Sequence, residues 1–127
     1  AQIIKSDINI DVCLVYTEEK IGKNLKFAKK MPKKGETIYA VSAPSGITLE
    51  RSNVIVSGHF GGCEDEYVCI FNIPAAPGSS GSLVINRRGE IIGMIDATLM
   101  GAEFVSMGPS KNAIKKYIES VTKWEES

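Results

Sequence analysis

The chain has 127 residues, 43% hydrophobic and 24% charged, enough to bury one core within a single compact unit. Its 15 basic and 15 acidic side chains cancel, so no global field points to nucleic acid or to a membrane surface, and a partner must be recognised locally. No apolar run approaches the ~20 residues that cross a bilayer, and neither a secretory leader nor a zinc site is expected from this N-terminus, one histidine and no C-x-x-C pair.

Ile8-Asn9-Ile10-Asp11-Val12-Cys13-Leu14-Val15-Tyr16 begins with alternation and ends as an apolar run, which predicts a strand with both faces partly covered. Asp11 interrupts it. A carboxylate at the start of a buried strand needs a hydrogen-bond partner, and from the residues alone Asp11 reads as a strand-end side chain bonded to turn N–H groups. Glu18 to Asn24 is a polar turn and Leu25 to Ala28 a short strand. Lys29, Lys30, Lys33 and Lys34, around Met31-Pro32, form an exposed basic loop: a solvated face, unless an acidic partner docks there.

Glu36 to Ala43 is a well-patterned strand closed by Pro44-Ser45-Gly46, and Asn53 to Phe60 is the next. After Gly61-Gly62 and the acidic Glu64-Asp65-Glu66, Tyr67 to Asn72 returns as a hairpin partner. Cys13, Cys63 and Cys69 cannot all pair within one chain. They read as reduced, buried thiols, which leans toward a cytoplasmic or viral setting; the other reading bridges Cys63 to Cys69 across the hairpin.

Pro74-Ala75-Ala76-Pro77 leads into Gly78-Ser79-Ser80-Gly81-Ser82. Two glycines around the serines allow a sharp bend that turns main-chain N–H groups inward and leaves the Ser80 hydroxyl at the tip. Acyl transfer needs donors already aimed at the developing oxyanion, and the N–H groups of Gly78 and Ser80 are the candidate pair. A plain turn can carry the same letters. Leu83 to Ile85, the turn Asn86-Arg87-Arg88-Gly89 and Glu90 to Ile95 then read as strand, turn and strand, placing Ser80 at the mouth of a hairpin. Asp96 to Met100 reads as a loop and Ala102 to Met107 as the last strand. Ser110 is a helix N-cap, and Ile114, Tyr117, Ile118, Val121 and Trp124 share one helical stripe, which predicts a terminal helix packed on the strands.

The run from Gly78 to Gly93 resembles the trypsin-like serine proteases of chymotrypsin fold, and among them the HtrA-type branch: Gly-x-Ser-Gly-Ser, a short strand, Asn-x-x-Gly-Glu, two β-branched residues and Gly. Leu83 stands where many members have Pro. Asp11 to Val15, Lys33 to Glu36, Ala43 to Gly46 and Gly108 to Ser110 are similar to further segments of that family. The resemblance implies an all-β fold, a chymotrypsin-like six-stranded antiparallel β-barrel (the second barrel plus the last strand of the first) with a C-terminal α-helix. Residues 1–30 would be the last strands of the N-terminal barrel, 31–108 the C-terminal barrel with the nucleophile loop, and 109–127 the helix. It implies Ser80 as nucleophile, Gly78 and Ser80 as oxyanion hole, and Asp11 as the carboxylate that accepts Nδ1–H of the catalytic histidine. Pro74, Ala75 and Ala76 would line the pocket for the side chain before the scissile bond, and their small, apolar character selects an apolar residue there. No cofactor or metal is implied, and the partner is a protein or peptide substrate.

A serine hydroxyl needs a base, and the only histidine is His59. It falls between Asp11 and Ser80, whereas the family order is histidine, aspartate, serine; in its strand-end Ser-Gly-His-Phe context it reads as an ordinary surface residue. An Asp-His-Ser order such as that of subtilisins would need alternating strands and helices, which this chain lacks. The expectation is therefore a serine endopeptidase whose histidine comes from an upstream segment or a second chain. The alternative is a catalytically inactive, protease-like binding module.

Overall fold

The computed structural model describes residues 2–7, 11–20, 22–42, 51–52, 54–74, 79–99 and 102–126. Strands β1 (Gln2–Asp7) and β2 (Val12–Tyr16) pair antiparallel as a two-stranded sheet of their own. The strand expected from Ile8 is corrected at this point, with residues 8–10 outside the described ones. Asp11 is an exposed turn residue with φ 54°, not the start of a buried strand, and β2 begins after it. Such a left-handed backbone suits Asp far better than a β-branched residue.

The other strands are β3 (Thr37–Ser42), β4 (Val54–Cys63), β5 (Cys69–Asn72), β6 (Leu83–Ile85), β7 (Ile91–Met94), β8 (Ala97–Leu99) and β9 (Ala102–Gly108). They form one antiparallel sheet in the order β7-β6-β3-β4-β5-β9-β8. The two edges of that sheet, β7 and β8, are consecutive in the chain and separated only by Ile95 and Asp96, so the sheet must curl until its edges meet. Met94 N–H donates to the Pro109 carbonyl at 3.2 Å and Asp96 N–H to the Met107 carbonyl at 2.9 Å, both at this seam. β7 and β8 are two stretches of one run, and the sheet is the expected chymotrypsin-like barrel. Asp96 to Met100 is thus not simply a loop: residues 97–99 are strand.

Side chains on alternate positions fill the barrel. Ile38 and Ala40 of β3, Phe60 of β4, Phe71 of β5, Val84 of β6 and Ile92 of β7 are all buried, joined by Ile73 and Ile95. The Phe60 and Phe71 rings lie 6.3 Å apart in a tilted arrangement. Leu25 to Ala28 is not a strand but a single bridge: Ile91 N–H donates to Lys26 O at 2.8 Å and Ala28 N–H to Ile91 O at 2.9 Å, covering part of the β7 edge.

Strand β4 runs past Phe60 to Cys63 through a bulge, where Gly62 takes φ 97°. The cysteine expectation is corrected there. Cys63 and Cys69 are register partners in β4 and β5 and form a disulfide, while Cys13 is free but exposed. At the tip of this hairpin the Asp65 carboxylate accepts the N–H groups of Tyr67 and Val68 at 2.7 and 3.0 Å. The Glu66 carbonyl accepts Ser110 N–H at 2.8 Å, and its carboxylate meets Lys116 Nζ at 2.7 Å. These bonds anchor helix α1 (Lys111–Glu126). Ile114, Tyr117 and Val121 are buried, whereas Ile118, 36% exposed, lies off the expected stripe, and the Trp124 side chain lies outside the described ones.

A Cβ on Gly108 would fall on the Met94 carbonyl at the barrel seam, and backbone there has nowhere to move. Gly108→Ala is expected to cost roughly 2–4 kcal/mol in urea unfolding. Gly22→Ala, where nothing lies within 4 Å, should stay within about 0.5 kcal/mol of wild type.

Candidate active site

The serine turn is built by its own backbone and by the barrel seam. Ser82 N–H donates back to the Ser79 carbonyl at 3.1 Å, and Gly81 takes φ 88°, a conformation that glycine adopts without penalty. The turn is then clamped to the chain leaving β7: Gly81 N–H donates to Ile95 O at 2.7 Å and Ile95 N–H to Ser82 O at 2.9 Å. Ser79 is 3% exposed, while Ser80 is exposed. Burying Ser79 and bonding Gly81 and Ser82 to the barrel leaves Ser80 exposed at the tip of the turn.

On the upstream side, the buried Ser106 hydroxyl donates to the Ile73 carbonyl at 2.8 Å and fixes the point where the chain leaves the sheet. Pro74 follows as an exposed residue. Gly78, Ala75 and Ala76, expected at the oxyanion hole and in the pocket wall, lie outside the described residues.

An acidic residue follows directly on this clamp. Asp96 lies in the link between β7 and β8, next to the Ile95 that is bonded to the turn, and Asp11 stands at the entry to β2. Burial, and next the Asp11 charge, push the Asp96 carboxyl from the usual 3.8 up to about 6, against the opposing effect of its own backbone N–H. The structure thus sets Asp11 within electrostatic reach of the residue that follows Ile95, whose backbone holds the serine turn. Asp96 was not among the residues the sequence singled out. Its signal was present: an acid directly after the apolar run that ends at Ile95 needs a reason to be there.

His59 stands apart. It is exposed on β4, in register with Thr37 of β3 and Asn72 of β5, and points away from the core that receives its neighbour Phe60. The serine turn is bonded instead to the β7–β8 link, and among the described residues no side-chain hydrogen bond involves His59. Nor does any group of three or more His, Cys, Asp or Glu among them stand ready to hold a metal. No helix among them is long and apolar enough to cross a membrane.

Residues 1–94 match the family described as trypsin-like peptidase domain. The fold is similar to that of the Rv3671c protease from M. tuberculosis in its active form, with TM-score 0.82 and 14% identity over 94% of this chain and 57% of that one. Its inactive form gives TM-score 0.77 at 14% identity, over 94% and 66%. A serine endoprotease from Yersinia pestis gives TM-score 0.82 at 15% identity, over 95% of this chain and 43% of that one. The chain therefore spans 57% and 43% of the lengths of the active-form and Yersinia structures. No curated protein sequence matches it.

A carboxyl raised to about 6 in the folded chain binds its proton more tightly than in the unfolded one, so Asp96 costs stability wherever it is ionised. That cost is full above the folded value and fades as pH falls toward 3.8. Asp96→Asn should therefore raise the melting temperature at neutral pH, with the gain shrinking on acidification; thermal melts across that range would show a pH-independent gain if the carboxyl were unperturbed.

Proposed function

The chain belongs to the trypsin-like peptidase domain family, and from that premise we propose that it is the C-terminal part of a serine endopeptidase. One observation carries this reading: an exposed Ser80 on a glycine turn clamped to the barrel seam through both backbone groups of Ile95. In this reading Ser80 Oγ attacks the carbonyl carbon of a protein substrate while a histidine takes its proton and passes it to the leaving amine. The N–H groups of Gly78 and Ser80 hold the oxyanion, and Asp11 orients the imidazole through its Nδ1–H. Pro74, Ala75 and Ala76 shape a pocket for an apolar side chain before the scissile bond.

The histidine comes from an upstream segment or a second chain. Support comes from the β1–β2 sheet, read as the last strands of an N-terminal barrel within residues 1–30. Ile3 and Tyr16 are 66% and 54% exposed, and Ile3 pairs in register with Val15, also exposed. Such an apolar surface suits a covering barrel. Residues 31–108 then form the second barrel and 109–127 the terminal helix.

With the histidine-bearing segment restored, a fluorophosphonate should label Ser80. Ser80→Ala abolishes labelling, Asp11→Asn slows it by about 10⁴-fold, and His59→Ala leaves it unchanged. Absence of labelling in the restored wild type refutes the peptidase reading in favour of a protease-like binding module.

A further inference from the structure

The Cys63–Cys69 disulfide joins two residues six positions apart that are also in register across the β4–β5 ladder. Its two ends differ in access. Cys69 is fully buried, whereas Cys63 is exposed at the end of β4. Between them lies the tip that meets helix α1: the Glu66 carbonyl accepts Ser110 N–H at 2.8 Å, and the Glu66 carboxylate pairs with Lys116. That ion pair stands in solvent and contributes little, so the backbone bond is the main grip. Ser110 is also the cap of α1, its hydroxyl accepting Ala113 N–H at 3.5 Å. It bridges to Gly93 of β7, and the Pro109 carbonyl before it accepts Met94 N–H. Cys69 itself lies opposite Gly108 across β5 and β9. Residues 108–110 are thus held between the disulfide-closed hairpin on one side and the barrel seam on the other.

We propose that this disulfide is a redox latch, which when oxidised holds the hairpin tip against Ser110 and when reduced frees the start of α1. Thiolate attack opens a disulfide, and it goes to the sulfur that solvent reaches. A dithiol reductant therefore attacks Cys63 Sγ; the Cys63–Cys69 bond breaks, and its electron pair leaves on Cys69 Sγ, which takes up a proton. The second thiolate of the reductant then attacks the reductant sulfur bound to Cys63, so the Cys63 thiolate departs and is protonated in turn. Two electrons pass from the dithiol to the cysteine pair, and the reductant leaves as its own disulfide. The Asp65 carbonyl lies 4.0 Å from Cys69 Sγ and accepts the new S–H. Without the cross-link the tip regains the chain freedom that the bond had removed, and one backbone bond with an exposed ion pair must hold α1 against it. The latch works whether or not Ser80 is a nucleophile.

Amide hydrogen exchange on the 127-residue chain tests it, in a Cys13→Ser background that removes the free thiol. Dithiothreitol should open the bond in the folded protein and raise exchange at Ser110 and Ala113 by about 10-fold or more. Ala28 and Ile91, whose N–H groups are bonded across the β7 edge, should exchange as before. Oxidised glutathione should restore the protection at Ser110. A bond that dithiothreitol opens only by unfolding the chain overturns the latch, and so does equal protection of Ser110 in both redox states. A loss shared equally by Ala28 and Ile91 overturns it too, because it marks a staple of the whole barrel. The Cys63→Ala/Cys69→Ala chain should exchange at Ser110 like the reduced protein and ignore dithiothreitol; protection there equal to that of the oxidised form counts against the latch as firmly.

Discussion

The closure of the barrel at one short run of chain is the constraint on which the rest depends. β7 and β8 are opposite edges of the large sheet, yet Ile95 and Asp96 alone separate them, so a single extended run must serve both. It can do so only where backbones approach closely, which is why Gly108 faces the Met94 carbonyl and Gly93 faces the Phe71 ring and the Pro109 carbonyl. The same run presents its free main-chain groups to the serine turn. Closing the barrel and holding the candidate nucleophile are therefore one structural act, shared through the N–H and C=O of Ile95.

This sharing explains the mixture of rigidity and exposure at the site. Ser79 is buried and Ser80 exposed, because the turn is bonded on the side that faces the barrel and open on the other. Upstream, the Ser106 hydroxyl satisfies a buried carbonyl that would otherwise go unpaired, so the loop starts from a fixed point. The acidic residue of the seam follows the same geometry: where Ile95 is buried, Asp96 beside it is only half-buried. A half-buried carboxyl beside a like charge is costly, and such costs gather where function needs them.

The far side of the molecule is held by different means. The Cys63–Cys69 disulfide closes the β4–β5 hairpin, and the tip of that hairpin grips the start of α1 through Glu66. Lys5 of β1 lies 5.9 Å from the Tyr117 ring, which links the small sheet to the same helix. The small sheet is otherwise rich in exposed apolar side chains, and the lysines between Lys20 and Lys34 stay in solvent.

Much of this was legible locally. The turn at Asn86 to Gly89, the alternation of β3 and β6, the glycine–serine bend and the N-cap at Ser110 all follow from residues near one another in the chain. Readings failed where the partner was remote: β1 shows no burial pattern because its side chains stay exposed, residues 25–28 are held by one bridge to Ile91, and β8 forms only because β9 lies beside it. The sequence by itself determined the trypsin-like motif and the class of fold, since period-two patterning and turn chemistry act over a few residues. Only the tertiary structure decided that Cys63 and Cys69 are bonded, that His59 faces away, and that Ile95, next to Asp96, holds the serine turn. Those outcomes depend on which distant strands a closed barrel brings together, and no local propensity encodes that.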